Sequence, residues 1–358
     1  MDRCKRCILP KSYPGLTFDK SGICNKCRTY ERRWSNYNPK KAEEYARNMF
    51  ADAKSKNNEY DCIIGLSGGK DSSYMVYLCT QKYKLKPLVY TYDNHFMSAE
   101  SLSNIKKLTT ALNVKHIFVK HDWELMKRLY RRFVLTTGDF CSPCNTGMVS
   151  WPYKAAKEYN IHLIISGYSP RTDMGGDINF WFNCEEYFEN VTRGYFSKDE
   201  IKDFLHNKTL TRALGHLTGT LKHINLPAYV EWDEQKMVRL LEKEFDWEII
   251  PEHYDCMGAK LKEYLHIKEV GFSERALKYS VLIRGGFMGR EEALSKIEAF
   301  ERDVIEDNSG FLHKVIQMLD LSEEELAEAI TKRQRPYMPK FASLVTNDTL
   351  MKTLYFRH

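Results

Sequence analysis

Residues 60–73 read Tyr-Asp-Cys-Ile-Ile-Gly-Leu-Ser-Gly-Gly-Lys-Asp-Ser-Ser, and their order decides the fold. The apolar run 60–66 has the length and composition of a buried strand, the glycine pair makes a tight turn, and a helix is expected from Ser72 through YMVYLCTQKY. A strand that passes through glycines into a helix start is an anion site, because the free N–H groups of the first turn and the positive end of the helix dipole point at one spot. Phosphate is the expected occupant. Gly68 and Gly69 allow close backbone approach, and Ser67, Ser72 and Ser73 surround the turn with hydroxyls. Lys70 adds a mobile positive charge, and Asp71 is placed to help hold Mg²⁺. The string lacks the G-x-x-x-x-G-K-[ST] spacing of a Walker loop.

Outward from this loop, short apolar runs alternate with amphipathic stretches. PLVYTY (87–92) precedes a helix from Ser98, HIFV (116–119) precedes a helix from Asp122, and a helix near 145–159 precedes HLII (162–165). That rhythm predicts an α/β fold, a doubly wound parallel sheet with helices on both faces. Asp93, just past 87–92, and Gly167 in Ser166-Gly167-Tyr168 fall at carboxyl ends of strands, where open parallel sheets bind ligands. Further on, capping boxes at Ser197/Glu200 and Ser322/Glu325, with Met237, Leu240, Leu241 and Phe245 at helical spacing, make the C-terminal part helical. Three segments result: a Cys-rich knuckle at 1–37, a nucleotide-binding domain at 38–190 and a helical substrate or partner domain at 191–358.

The chain has 358 residues, is 43% hydrophobic and 28% charged, and has a mean hydropathy of −0.52, values that exclude a disordered, collagen-like or integral membrane protein. No run of about 18 uncharged apolar residues occurs, and MDRCKRC lacks the apolar core of a secretory signal, so a cytoplasmic protein is expected. Residues 1–60 hold 14 Lys/Arg against 7 Asp/Glu, whereas the rest of the chain is close to neutral. The basic character is local, and nucleic acid is not the expected partner.

Six of the ten cysteines form three Cys-x-x-Cys pairs. Cys4-x-x-Cys7 and Cys24-x-x-Cys27 have the spacing of a four-thiolate zinc knuckle, a device that folds a short segment with little core of its own. Cys141-Ser-Pro-Cys144 is a candidate second site, for an iron–sulfur cluster completed by Cys256 or, next, by Cys184. Its alternative is an ordinary buried pair. Cys62 and Cys79 are expected in the core.

Ser-Gly-Gly-x-Asp-Ser at 67–72 resembles the PP-loop of the ATP pyrophosphatases, of adenine nucleotide alpha hydrolase-like fold. CKRCILPKSYPGLTFDKSGICNKC (4–27) and LKEYLHIKEVGFSERALKYSVLIRGGFMGREEAL (261–294) narrow the likeness. With them the chain resembles the N-acetyl sugar amidotransferases of bacterial surface-glycan pathways over nearly its full length. That resemblance implies ATP, Mg²⁺ and a nucleotide-linked or sialic-acid-like N-acetyl sugar. The acetamido oxygen is adenylated and ammonia then displaces AMP to give an acetamidino sugar. No glutaminase elbow occurs in the chain, so the resemblance implies a separate glutaminase subunit and a cyclase-like barrel subunit that deliver ammonia.

Arg275, Arg284 and Arg290 are candidates to pair a sugar phosphate or carboxylate, with helix capping as their other reading. His253-Tyr254-Asp255-Cys256 is polar enough to lie near the site. The rival enzyme class is a PP-loop tRNA thiolase in which Cys141 and Cys144 hold a cluster.

Overall fold

The computed structural model describes residues 2–168, 171–173, 185–206, 208, 215, 218–250 and 255–332. Five strands, β1 Cys62–Gly65, β2 Pro87–Asp93, β3 Lys115–Lys120, β4 Leu163–Ser166 and β5 Lys222–Asn225, form one parallel sheet in the order β3-β2-β1-β4-β5. The register sets Ile64 beside both Val89 and Ile165, and Ile165 beside Ile224. Side chains alternate across a strand, and the burial follows that period. Cys62, Ile64, Val89, Leu163, Ile165 and Ile224 pack under helices Pro39–Ser55, Lys70–Tyr77, Ala99–Ala111 and Glu234–Phe245. Ile63, Leu88, Tyr90 and Tyr92 face the other way, toward Ala155 and Ala156 of helix Ser142–Glu158.

The helices begin where their caps dictate. Asn38 accepts from the amides of Lys40 and Lys41 with Pro39 at the first position, Ser98 accepts from Ser101, and Asp122 accepts from Glu124 and Leu125. Both capping boxes form, at Ser197/Glu200 and at Ser322/Glu325. The helix after the loop starts at Lys70, two residues before Ser72, and passes into a π-turn at Leu78–Lys82.

The segment boundaries read from sequence need revision. β5 and helix Glu234–Phe245 belong to the sheet domain, because the row β1–β4 leaves an edge that only a strand beyond residue 190 fills. At the other end, Cys4, Cys7, Ile8, Leu9, Cys24 and Cys27 share one core with Phe272, Ala276, Leu277, Tyr279, Ala293 and Ile297. The knuckle is therefore packed into the C-terminal helices. A further core of Phe96, Tyr130, Phe133, Phe140, Phe188 and Phe204 joins helix Trp123–Thr137 to helix Ala259–Val270 and to residues 311–331. Among the described residues, no helix is long and apolar enough to cross a membrane.

Candidate active site and metal knuckle

The strand order reverses direction at β1, between β2 and β4, and the loop 66–69 leaves the carboxyl end of β1 at that switch point. Gly68 has φ +81°, and a β-carbon there would lie 2.3 Å from the carbonyl oxygen of Ser101, so no other residue fits. Its carbonyl accepts from Trp247 Nε1 (3.2 Å) and from Asn104 Nδ2 (3.3 Å), which anchors the turn to the helix layer. Ser67 and Ser72 are cross-braced: Ser72 Oγ accepts from the Ser67 amide (3.1 Å) and donates to Gly69 O (3.1 Å). The amides of Lys70, Asp71 and Ser72 open the helix without acceptors inside it. The braced turn and the three helix-opening amides have the geometry that an anion site needs. Ser73 faces inward and is fully buried.

Charged groups gather in front of this cradle. Lys70 Nζ lies 3.0 Å from Asp71 Oδ2 and 3.5 Å from Glu234 Oε2, and Trp232 Nε1 donates to Asp71 Oδ1 (3.1 Å). Asp255 Oδ2 comes within 3.5 Å of the place where a β-carbon on Gly69 would stand. Burial would lower the Lys70 pKa, but Asp71 and Glu234 hold it above the usual lysine range. Burial would likewise raise Asp71, but Lys70 and Lys278 keep it below the usual carboxylate range, although 40% of its side chain still touches solvent within the cleft. Asp173 and Asp255 are pushed up by burial, against the pull of Lys278. Asp71 is an oxygen donor of the kind a hard divalent cation arriving with a nucleotide phosphate takes, and among the described residues the carboxylates here do not converge on one ion position.

Trp232, Glu234, Asp173 and Lys278 had no signal of their own in the sequence; Lys278 lies within the quoted stretch 261–294, where it reads as an ordinary helix-surface lysine. Asp93 ends β2 beside the loop, yet its two oxygens serve the turn, accepting from the His95 amide (2.8 Å) and pairing with Lys120 (3.0 Å). Gly167 follows β4, and a β-carbon there would meet Met75 of the loop helix at 3.7 Å. His253 and Tyr254 lie outside the described residues.

The three candidate arginines have partners at the knuckle and among the C-terminal helices. Arg284 Nη2 approaches Cys7 Sγ (3.7 Å), Arg290 Nη2 donates to Cys4 O (3.4 Å), and the Arg275 guanidinium sits 4.5 Å from the Phe300 ring centre. The helix that bears Arg275 and Arg284 packs on helix Asn25–Trp34 of the knuckle.

The donor atoms of Cys4, Cys7, Cys24 and Cys27 all lie within 4.8 Å of one another, and all four residues are fully buried. Sulfur–sulfur separations are 3.9 Å for Cys4–Cys27, 3.8 Å for Cys7–Cys24 and 3.5 Å for Cys24–Cys27. A tetrahedral ion at about 2.3 Å from each sulfur needs edges of about 3.8 Å, so the four thiols fit a metal ion. The amides of Arg6 and Cys24 point at Cys4 Sγ (3.4 and 3.3 Å), the outer bonds that steady a thiolate.

Cys141, Cys144 and Cys256 are brought together in the phenylalanine-rich core, and Asn94 Nδ2 donates to Cys256 Sγ (3.2 Å). Burial pushes the thiols of Cys144 and Cys256 up to about 12 and about 11. Among the described residues, the cluster at Cys4, Cys7, Cys24 and Cys27 is the one whose donors converge on a single-ion position, and the second trio does not. Cys184 lies outside the described residues. Cys62 and Cys79 are core, as expected.

The sheet order, the cradle at the switch point and the helix that opens on it define a PP-loop α/β protein. Residues 242–346 match the family model described as LPS biosynthesis protein WbpG-like, C-terminal domain. That match makes the C-terminal part of the chain similar to the WbpG-like domain and leaves the loop and sheet outside the matched stretch. An uncharacterized protein of Methanocaldococcus jannaschii is 22% identical over 301 residues, covering 83% of this chain and 93% of its own. Among solved structures, an NMN synthetase from Francisella tularensis aligns at TM-score 0.39 and 15% identity, covering 80% of this chain and 98% of its own. The U34-tRNA thiolase NcsA from Methanococcus maripaludis aligns at TM-score 0.34 and 14% identity, covering 90% of each chain.

Proposed function

We propose that the chain is an ATP-dependent amidotransferase that converts the acetamido group of a nucleotide-linked or sialic-acid-like N-acetyl sugar into an acetamidino group, in bacterial lipopolysaccharide or related glycan biosynthesis. One observation supports the reading: the loop 67–73 opens a helix at the switch point of the sheet, in a chain whose residues 242–346 match the WbpG-like C-terminal domain model. In the first step the amide oxygen attacks the α-phosphorus of ATP, the bond to the bridging oxygen breaks, and pyrophosphate leaves into the cradle. Lys70 and the helix-opening amides balance its developing charge. Mg²⁺ held by Asp71 would neutralise phosphate charge. In the second step ammonia adds to the activated carbon and AMP departs with the former amide oxygen. A separate glutaminase subunit and a cyclase-like barrel subunit supply the ammonia, and the four knuckle cysteines hold structural Zn²⁺.

A second reading, a PP-loop tRNA thiolase with an iron–sulfur cluster, is favoured by the packing of Cys141, Cys144 and Cys256 against one core, where Asn94 bonds Cys256. Iron and acid-labile sulfide analysis of anaerobically purified protein separates the two. About one zinc per chain without iron supports the amidotransferase, whereas zinc together with iron and matching sulfide supports the thiolase.

A further inference from the structure

Lys70 carries its ammonium on a flexible four-carbon stem, and a cleft that must meet a phosphate binds it better when that charge is placed before the phosphate arrives. Two acceptors hold it, Asp71 Oδ2 at 3.0 Å and Glu234 Oε2 at 3.5 Å. Glu234 is exposed, and the Asp71 carboxylate can turn about two side-chain bonds. The ammonium is therefore only as fixed as its acceptors are.

Trp232 supplies the restraint. Its Nε1 donates to Asp71 Oδ1 (3.1 Å), so one carboxylate oxygen is tied to the indole and the other to the ammonium. The indole is itself held: it meets the Tyr74 ring edge to face with 5.4 Å between centres, and it packs against the core that contains Ile64 and Ile165. Tyr74 lies one turn along helix Lys70–Tyr77 from Asp71, so one side chain holds that helix at two points of the same face.

A helix cap places Trp232. Asp233 has extended backbone (φ −112°, ψ 109°), and its side chain accepts from the Lys236 amide to open helix Glu234–Phe245, which packs on helix Lys70–Tyr77. Residues on either side of an extended residue point the same way. Trp232 and Glu234 accordingly reach Asp71 and Lys70 together, from the two sides of one cap.

We propose that Trp232 is a positioning residue: it fixes the Asp71 carboxylate, which in turn holds the Lys70 ammonium where the loop meets phosphate. This rests on the loop's use of ATP in the function proposed above, and not on the identity of the acceptor. The assignment gives Trp232 no bond to make or break.

The test uses the full chain and inorganic pyrophosphate, titrated by calorimetry at pH 8 with Mg²⁺ present throughout. Two substitutions divide the side chain. Trp232→Phe keeps a six-membered ring against Tyr74 and loses the donor, whereas Trp232→His keeps a ring N–H at the place of Nε1, on an imidazole neutral at that pH, and loses the six-membered ring. Trp232→Phe is expected to weaken pyrophosphate binding about fivefold or more, and Trp232→His less than about twofold. Added to Lys70→Ala, Trp232→Phe should change binding by less than about twofold. A packing role alone gives the reverse order, with Trp232→His the weaker binder, and overturns the assignment. Wild-type affinity in Trp232→Phe overturns it too, as does a loss of the same size with and without Lys70. If wild-type protein binds no pyrophosphate, or if Lys70→Ala binds it as wild type does, the reading of the loop falls and the assignment with it. If Lys70→Ala weakens binding and Trp232→Phe does not, only the assignment falls.

Discussion

Arg284 Nη2 lies 3.7 Å from Cys7 Sγ, joining residues 277 positions apart in the chain. Four thiolates around a divalent ion carry net negative charge, and the guanidinium, only 7% exposed, supplies the nearest compensation from the C-terminal helices. The knuckle and the C-terminal helices are therefore one structural unit, and the four thiols lie at their junction.

Arg284→Met is expected to destabilise the metal-loaded protein by about 3 kcal/mol, since it strands buried negative charge. It should also speed zinc release to a chromophoric chelator. Thermal unfolding and release kinetics check this, and wild-type release would contradict the charge pairing.

Gly68→Ala places a β-carbon on the Ser101 carbonyl and forces an alanine to φ +81°. The loop must open, and nucleotide binding is expected to fall about a hundredfold or more, with a folding cost of about 1–3 kcal/mol. A calorimetric titration with an ATP analogue that retains wild-type affinity would contradict the cradle.

Lys70→Ala should abolish ATP-dependent turnover with little loss of stability, because among the described residues the Lys70 ammonium is held by ion pairs to Asp71 and Glu234 in the cleft. Circular dichroism and an AMP-release assay distinguish these effects. Retained turnover would remove Lys70 from the site.

Glu263 is 7% exposed, and burial, opposed by Lys262 and reinforced by Glu274, pushes its pKa up to about 7. A carboxyl raised in the folded state is protonated there while the unfolded chain ionises, so the protein loses stability as pH rises from the ordinary glutamate range to about 7. Glu263→Gln keeps an acceptor for the Glu274 amide, which Glu263 Oε2 now serves at 2.8 Å. The variant should melt higher than wild type at pH 8 and equally at pH 4. An equal difference at both pH values would show that the ionisation is not responsible.

The loop, its strand and the four-cysteine knuckle were legible because each is local: glycines at fixed offsets, a short apolar run and a Cys-x-x-Cys spacing. β5, reading Lys-His-Ile-Asn, was missed because four residues with one buried apolar side chain carry no alternation to detect. Trp232 and Glu234 reach Asp71 and Lys70 from 162 and 164 residues past Lys70, and no local pattern separates such side chains from solvated ones. The approach of Arg284 to Cys7 was hidden for the same reason: the chain path that joins them is tertiary.

The most direct measurement supplies nucleotide-linked N-acetyl sugars, ammonia and ATP to the purified protein and resolves the products by mass spectrometry. The expected result is AMP and pyrophosphate in equal amounts, dependent on sugar and ammonia together, with the acetamido oxygen replaced by NH. Release of ADP and phosphate, or AMP formation indifferent to every N-acetyl sugar, would contradict the amidotransferase reading.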